Sequence, residues 1–289
     1  DLFVCVHEQF LTETARMADV VLPATMFVEH DDIYKGGGHQ YILFGPKLIE
    51  PPEGCRSNHD VNNALSARLG VTHKGNEMSP REHIDWMLRN SGRGTLADLE
   101  ETGSIDCQPP FDDAHFLSGF AYPDKRFRFR PDWTKVKANN NGPMGPWEAL
   151  PALPDHWDVI DGSTDEYPFR LVTAPARSFL NSTFNETPGG IAKEGRPTAM
   201  IHPEDAADCG LEEGTPVRVS NRQGSVVVAT RIFAGVQRGV VISEGLWPNS
   251  AFEDGRGINT LTSAEPIAPY GGAAFHDTRV ALETVQSMT

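Results

Sequence analysis

Residues 171–183, LVTAPARSFLNST, begin like a β-strand and then collect small polar side chains. Pro175 has no N–H to donate to a sheet, so regular strand pairing should end there and leave the following N–H groups for a ligand. Arg177 adds a guanidinium, which binds phosphate or carboxylate groups through two parallel hydrogen bonds. These residue types predict a site for a polar, phosphate-bearing ligand. The alternative is a polar loop whose hydrogen bonds are all internal.

A second segment with the same mixture lies later in the chain. Residues 257–263, GINTLTS, include Asn259, whose amide can read the edge of a heterocyclic ring or cap the turn that follows. Trp247 stands beside Pro248 in EGLWPN, and an indole next to a turn either stacks on a ligand or packs in the core. For both residues the sequence leaves the two alternatives open.

Residues 29–39, EHDDIYKGGGH, bring together carboxylates, histidines and three glycines. Glu29 and Asp32 would share one face of a helix, but the glycines that follow disfavour a helix, so no protein-only metal site is predicted. The glycines allow close approach of the backbone to a ligand, or form a flexible loop tip. The chain has no P-loop, serine nucleophile elbow or dinucleotide fingerprint, so no catalytic residue is assigned.

The composition limits the classes of function. The net charge of -15 repels a nucleic-acid backbone, so no nucleic-acid partner is expected, although a small phosphate ligand held by N–H groups is compatible with it. No apolar run approaches the roughly 20 residues of a membrane helix, so no membrane partner is expected either. The four cysteines are scattered, which is typical of free thiols and not of a metal cluster.

The chain of 289 residues is long enough for two domains. Residues 1–136 alternate strand and helix patterns, which predicts an α/β domain. Within it, residues 2–6 have the composition of a buried strand, and Ser57 and Ser79 are predicted to begin helices. Because each of these elements is short, their pairing must come from the tertiary fold.

The second half of the chain differs from the first in composition and in its predicted secondary structure. Residues 137–166 are rich in proline, glycine and asparagine, which predicts a linker. Residues 167–289 hold short strands separated by glycine, proline and asparagine, a spacing typical of a small barrel. In this part SNRQGSVVV predicts a hairpin, and HPEDAADCGLEEG predicts a helix that ends at a glycine.

Several motifs, taken in order, resemble those of the molybdopterin-dependent oxidoreductases, the dimethyl sulfoxide reductase and formate dehydrogenase superfamily. FLTETARMADVVLPATMFVEHDD and GPKLIEPPEGCRSNHDVNNALSARLG are similar to the third domain of that family. FRLVTAPARSFLNSTF, the segment from residue 199 to residue 249, and GINTLTS resemble its fourth domain. The resemblance covers nearly the whole chain. It implies the C-terminal part of an α/β domain followed by a β-rich double-psi barrel domain.

The resemblance implies a cofactor, the bis-molybdopterin guanine dinucleotide with molybdenum or tungsten. It also implies that the metal ligand and any iron–sulfur cluster belong to a more N-terminal part of the enzyme. This chain would then hold part of the cofactor site and no metal ligand. The residues that match cofactor-binding positions are Glu8, Thr12, Thr173, Ala174, Pro175, Arg177, Ser178, Phe179, Leu180, Asn181, Ser182, Trp247, Asn259, Leu261, Thr262, Phe275 and His276.

The activity implied is two-electron oxo or hydride transfer, with a formate dehydrogenase-like enzyme as one form. Under this implied mechanism His39 is a candidate proton relay. Ala274 departs from that form, because formate dehydrogenases often place a lysine near this position. The expected partners are the remainder of the same enzyme or other subunits, and a small-molecule substrate. A cytoplasmic location is expected, with the periplasm as the alternative. A non-catalytic double-psi barrel module, or a self-processing decarboxylase cut at a Gly-Ser pair, is the competing interpretation.

Overall fold

A computed structural model of the chain describes residues 2–130, 132, 153, 162–265 and 273–285. The chain divides into two compact units, Asp1–Phe127 and Arg128–Thr289. The predicted linker, 137–166, lies almost entirely outside the described residues. The predicted domain limits at 136 and 167 therefore stay predictions.

The first unit mixes short strands and helices. Its strands are β1 Cys5–Glu8, β2 Val20–Pro23, β3 Asp32–Lys35, β4 Tyr41–Gly45 and β5 Ser104–Asp106. Its helices are α1 Glu13–Arg16, α2 Asn58–Leu69, α3 Pro80–Asn90, α4 Leu96–Thr102 and α5 Phe111–Ala114. Strands β1 and β2 pair in parallel, whereas β3, β4 and β5 form an antiparallel sheet. Helices α3 and α4 supply the buried core of the unit, which consists of Ile84, Leu88, Leu96 and Leu99.

The prediction of a buried strand at residues 2–6 is wrong in position and in burial. The strand is Cys5–Glu8, and Leu2 and Phe3 are 83% and 72% exposed. The apolar run alone suggested a strand covered on both faces, as in most parallel sheets. Within the described residues, β1 pairs only with β2, and no second layer covers Leu2 and Phe3.

Three helices of the first unit begin where local sequence signals place a cap. Ser57, Ser79 and Thr95 each accept a hydrogen bond from the N–H three residues on, and the acidic side chain at that position bonds back to the cap residue. This reciprocal arrangement satisfies N–H groups that a helix start otherwise leaves unpaired. The helix predicted from Ser57 ends at Gly70 in the left-handed conformation, as expected for a glycine C-cap.

The capping carboxylates should make the first unit sensitive to acid. Hydrogen bonds from Ser79 lower the pKa of Glu82 from its ordinary 4.5, and those from Thr95 lower the pKa of Asp98 from 3.8. A lowered pKa in the folded state stabilises the fold above the ordinary value, and this contribution is lost as the pH falls through the folded pKa. We therefore expect helix content, measured by circular dichroism, to fall as the pH drops below these ordinary values.

A variant that carries both Glu82→Gln and Asp98→Asn is the control for this acid dependence. Its amides can still accept hydrogen bonds from the cap residues but have no charge to lose. Over the interval from about pH 5 to about pH 3 it should lose less helix than the parent protein. An equal loss of helix in both proteins would show that the caps do not cause the acid dependence.

The second unit is built on a closed barrel of six strands, in the order β10-β6-β11-β8-β9-β7. The strands are β6 Phe169–Ala174, β7 Thr198–Ile201, β8 Pro216–Asn221, β9 Gly224–Ile232, β10 Val240–Glu244 and β11 Thr278–Thr284. Two short helices, α6 Pro188–Glu194 and α7 Pro203–Asp208, lie between its first strands. Closure pairs every strand on both sides and so removes sheet edges. Fully buried Val217, Val219, Val226, Val241 and Val280 fill the core.

The predicted β-rich barrel in the C-terminal region is confirmed as a closed six-stranded barrel. Strand β6 begins at Phe169, close to the predicted start at Tyr167. The hairpin predicted in SNRQGSVVV is formed by β8 and β9, which pair from Pro216 to Asn221. Among the described residues, no helix is long and apolar enough to cross a membrane.

Candidate functional site

The strands β6 and β10 bring two loops to the same end of the barrel. They pair in parallel, so their carboxyl ends coincide, and the N–H of Gly245 continues the ladder to the carbonyl oxygen of Ala174 at 2.8 Å. A cavity of about 510 Å³ lies at this end. It is lined by Thr173, Ala174, Pro175, Leu180, Asn181, Gly245, Leu246, Ile258, Asn259, Phe275 and His276. Eight of the predicted site residues are among these.

The loop after β6 satisfies part of its own backbone. The N–H of Ser178 donates to the Glu194 carboxylate at 2.5 Å, and Leu180 and Thr183 exchange two backbone hydrogen bonds. Asn181, inside that tight turn, has a φ of 50°, which asparagine tolerates better than most residues. The backbone N–H of Ser178 is thus hydrogen bonded within the protein, as the alternative of a polar loop with internal hydrogen bonds predicted. Thr173, Leu180 and Asn181, in contrast, line the cavity.

Arg177 lies in the same loop and points away from the buried core. It is exposed, and it has no ion pair or hydrogen bond within the part of the chain that the structure describes. An exposed guanidinium without a carboxylate partner is free to bind an anionic group. Arg177, Ser178 and Ser182 are not part of the cavity lining, although Ala174 and Pro175 in the same loop are.

Three predicted site residues pack in the barrel core. Phe179 and Trp247 are 4% and 7% exposed, and their rings meet edge to face at 5.1 Å. The indole N–H of Trp247 donates to the carbonyl oxygen of Glu244 at 3.1 Å. Leu261 is 1% exposed. Their side chains support the cavity loops from within the protein and do not line the cavity.

The segment GINTLTS forms a 3-10 turn, Ile258–Leu261, in which Asn259 lines the cavity. The N–H of Thr262 donates to the carbonyl oxygen of Asn259 at 3.1 Å and closes the turn. Thr262 itself is half-buried and does not line the cavity. The amide of Asn259 is therefore presented to the cavity by a turn whose backbone is already hydrogen bonded.

Phe275 and His276 form the remaining wall. Nδ1 of His276 lies 3.2 Å from Oγ1 of Thr173, which connects this wall to the end of β6. The Phe275 ring is 55% exposed, and its centroid lies 4.5 Å from that of His276. Next to them, Asp277 forms an ion pair with Arg170 of β6. Two polar contacts thus hold the 275–277 segment against β6.

Glu8 and Thr12 belong to the first unit. Glu8 lines a separate cavity of about 290 Å³ together with His7, Gln9 and Arg56. Thr12 caps α1, because its hydroxyl accepts the Ala15 N–H at 3.2 Å.

The His39 side chain makes a hydrogen bond within its own loop, because the Tyr41 N–H donates to Nδ1 of His39 at 3.1 Å. No group of three metal-ligating side chains occurs in the described residues.

The site residues fit a large polar ligand held by hydrogen bonds. The volume is within the roughly 300–1,000 Å³ of small-molecule sites. Gly245 has a φ of 81°, and a Cβ built on it would lie only 2.8 Å from the Phe179 ring, so glycine lets the backbone form this part of the wall without a clash. Thr173, Asn181, Asn259 and His276 supply donors and acceptors around an otherwise apolar lining. This arrangement can orient a heterocycle, but it contains no nucleophile or metal ligand set.

Two family profiles match the chain. One, described as Molydopterin dinucleotide binding domain, matches residues 169–279, and the other, described as Molybdopterin oxidoreductase, matches residues 1–68. The chain belongs to the dimethyl sulfoxide reductase superfamily of molybdopterin oxidoreductases. The resemblance inferred from the motifs is thereby confirmed. So is the cofactor that it implied, the bis-molybdopterin guanine dinucleotide, for which the family's dinucleotide-binding domain covers the barrel.

Individual relatives agree with this membership. The Probable oxidoreductase YoaE of Bacillus subtilis is 32% identical over 99% of this chain and 40% of its own length. The Dimethyl sulfoxide/trimethylamine N-oxide reductase of Rhodobacter capsulatus is 30% identical over 86% of this chain and 33% of its own length. Acetylene Hydratase from Pelobacter acetylenicus has a similar fold, with a TM-score of 0.73 at 17% identity over 98% of this chain and 40% of that one. The chain thus spans less than half the length of these relatives.

Sequence reasoning missed Gly245, Leu246 and Ile258, which also line the cavity in this member of the superfamily. Gly245 could have been identified because it directly follows a segment with strand-forming residues, a position at which the chain often needs a positive φ. Leu246 and Ile258 have apolar side chains, which are expected in the core. Nothing in their local sequence indicates that a cavity would reach them.

Proposed function

We propose that this chain forms a cofactor-binding part of a molybdenum enzyme that reduces sulfoxides or N-oxides. The observation that carries the proposal is the meeting of the 171–183 loop and the 257–263 turn at one cavity. A peptide-binding barrel module has no need for these two polar segments to converge. Relatives named as dimethyl sulfoxide and trimethylamine N-oxide reductases support this substrate class. They give no support to the formate dehydrogenase-like alternative.

In the proposed enzyme the bound cofactor supplies two-electron redox chemistry, by which an S-oxide or N-oxide and two protons become the reduced compound and water. The residues of this chain bind and orient the cofactor. Thr173, Asn181 and Asn259, which line the cavity, would hydrogen bond a polar ring, and Phe275 would pack against it. Arg177 would bind a phosphate. The remaining predicted positions, Ala174, Pro175, Ser178, Phe179, Leu180, Ser182, Trp247, Leu261, Thr262 and His276, would shape or support the same site.

Several finer features of the enzyme are part of this proposal. Glu8 and Thr12 would contact a guanosine from the first unit. The metal would be molybdenum and not tungsten, a choice that the similarity to dimethyl sulfoxide reductases supports. The barrel would have the double-psi connection. Other parts of the enzyme would supply the metal ligand, and an iron–sulfur cluster if one is present, while a cytoplasmic or periplasmic location stays a prediction.

Replacing Arg177 by alanine tests the proposal. Loss of hydrogen bonds to a charged phosphate should weaken cofactor retention by about 1.5–3 kcal/mol. The measurement is the guanine nucleotide released by acid from the purified holoenzyme, after dialysis at a fixed temperature. Arg222→Ala is the matched control, because the contact of this half-exposed arginine at the β8–β9 turn within the described residues is a long ion pair of 4.0 Å with Glu265.

Arg222→Ala should retain the nucleotide of the parent enzyme. Equal retention in Arg177→Ala would contradict the role given to Arg177. If the parent holoenzyme contained no guanine nucleotide, the proposed function itself would be wrong.

A further inference from the structure

Two asparagines that were not predicted as site residues are buried beside the cavity. Asn185 is 6% exposed and Asn221 is 8% exposed. Nδ2 of Asn185 donates to the carbonyl oxygen of Leu246 at 2.9 Å, and Nδ2 of Asn221 donates to that of Leu261 at 2.8 Å. Each acceptor belongs to a turn that forms a cavity wall. Burying an amide in an apolar core is unfavourable unless its hydrogen bonds are made, so these bonds fix the turns in place.

Asn221 joins two turns through one side chain. Its Oδ1 accepts the N–H groups of Gln223 at 2.9 Å and of Gly224 at 3.3 Å, while Nδ2 bonds to the 3-10 turn. The two turns also touch, because a Cβ on Gly224 would lie 2.7 Å from Cγ2 of Thr260. The 3-10 turn, and Asn259 with it, is therefore held against the β8–β9 hairpin at a defined distance.

Asn185 fixes the opposite wall in a similar way. Its acceptor, Leu246, follows Gly245 directly, and the Gly245 N–H donates to Ala174 at 2.8 Å. The Gly245–Leu246 backbone is thus bonded on one side to β6 and on the other to the loop that contains Asn185. Because Gly245 and Leu246 carry no polar side chains, these two bonds to their backbone are the polar contacts by which the described residues hold this part of the cavity wall.

We propose that Asn185 and Asn221 are positioning residues of the cofactor cavity, which hold the Gly245–Leu246 and Ile258–Leu261 turns in the geometry that binds the pterin dinucleotide. This inference rests on the proposed function. Neither asparagine lines the cavity, so each acts through the turn to which it is bonded. The physical reason is preorganisation: a turn that is already fixed loses less conformational entropy when the ligand binds.

The test compares cofactor release with fold stability in the holoenzyme. Asn185→Ala removes one side-chain donor to a cavity turn, and Asn221→Ala removes such a donor together with the acceptor of the Gln223 and Gly224 N–H groups. Asn185→Ala should release guanine nucleotide about 5- to 30-fold faster than the parent, the effect expected for one buried hydrogen bond, and Asn221→Ala at least as fast. Release is measured well below the unfolding temperature of every variant. Asn90→Ala is the matched control, because the Asn90 side chain donates to a helix carbonyl, that of Trp86, in the other unit at 2.7 Å.

Arg238→Ala controls for stability alone. Arg238 bonds to Glu204, Asp205 and Asp208 at 2.7–2.9 Å, away from the cavity, and Asp205 is buried. Its loss should lower the unfolding temperature and leave cofactor release at the parental rate. Parental release from both Asn185→Ala and Asn221→Ala, or equally fast release from Arg238→Ala, would overturn the inference. A parent enzyme without guanine nucleotide would overturn the proposed function and the inference together.

If Asn221→Ala does not fold, Asn221→Ser and Asn185→Ser decide the question. The serine hydroxyl is too short to reach the turn carbonyl, so the hydrogen bond is still lost. Serine is nevertheless closer to asparagine in polarity than alanine is. Faster nucleotide release from these folded variants supports the inference. Parental release from both of them counts against it.

Discussion

Replacing Gly245 by alanine will lower the free energy of unfolding of the barrel by about 2–4 kcal/mol. Two costs add at this position. The φ of 81° is strained for any residue with a Cβ, and that Cβ would lie 2.8 Å from the Phe179 ring and 3.0 Å from Cβ of Ala176. Because both neighbours are buried, neither can move aside cheaply. The measurement is urea unfolding of the chain.

Gly239→Ala separates the two costs. Gly239 precedes β10 as Gly245 follows it, and its φ of 77° is nearly the same, but apart from its chain neighbours no described residue has an atom within 4 Å of a Cβ built there. In this control only the strained φ should lower the free energy of unfolding, by about 1–2 kcal/mol. If Gly239→Ala and Gly245→Ala were equally destabilised, the packing of Phe179 and Ala176 against Gly245 would not matter.

Replacing Phe179 by alanine will lower the free energy of unfolding by about 3–5 kcal/mol, the largest loss expected among these substitutions. Phe179 is 4% exposed and packs edge to face on Trp247, so its removal leaves a cavity in the core and ends an aromatic pair. Phe179→Leu, which refills much of the volume, should recover most of the loss. Thermal or urea unfolding gives these differences directly.

Phe275→Ala is the matched control for Phe179→Ala. The Phe275 ring lines the cavity but is 55% exposed, so its loss should change the free energy of unfolding by less than about 1 kcal/mol. In the holoenzyme the same substitution should increase cofactor release. A large loss of stability in Phe275→Ala, together with a small loss in Phe179→Ala, would reverse the roles assigned to the two rings.

The sequence by itself determined the local features and the family. Ser57 and Ser79 could be identified as helix caps because a cap depends on residues only three positions apart. Pro175 ended β6 because a residue without an N–H cannot continue the ladder. The cofactor class could be predicted from the order of the motifs along the chain. Each motif alone is a modest indication of the family, but together they match the positions that form one cofactor site.

The tertiary structure alone decided which of the candidate residues meet at the cavity. Phe179 and Trp247 stand in polar, turn-like segments, and only the closed barrel puts their rings into the core. The apolar residues Leu2 and Phe3, which precede β1, are exposed because none of the described residues packs over them.

Asn185 and Asn221 bond to carbonyls 61 and 40 residues away. Burial and long-range hydrogen bonds depend on which strands pair and on how the barrel closes. Local sequence patterns carry no information on such distant partners, and for this reason the two positioning asparagines emerged only from the three-dimensional arrangement.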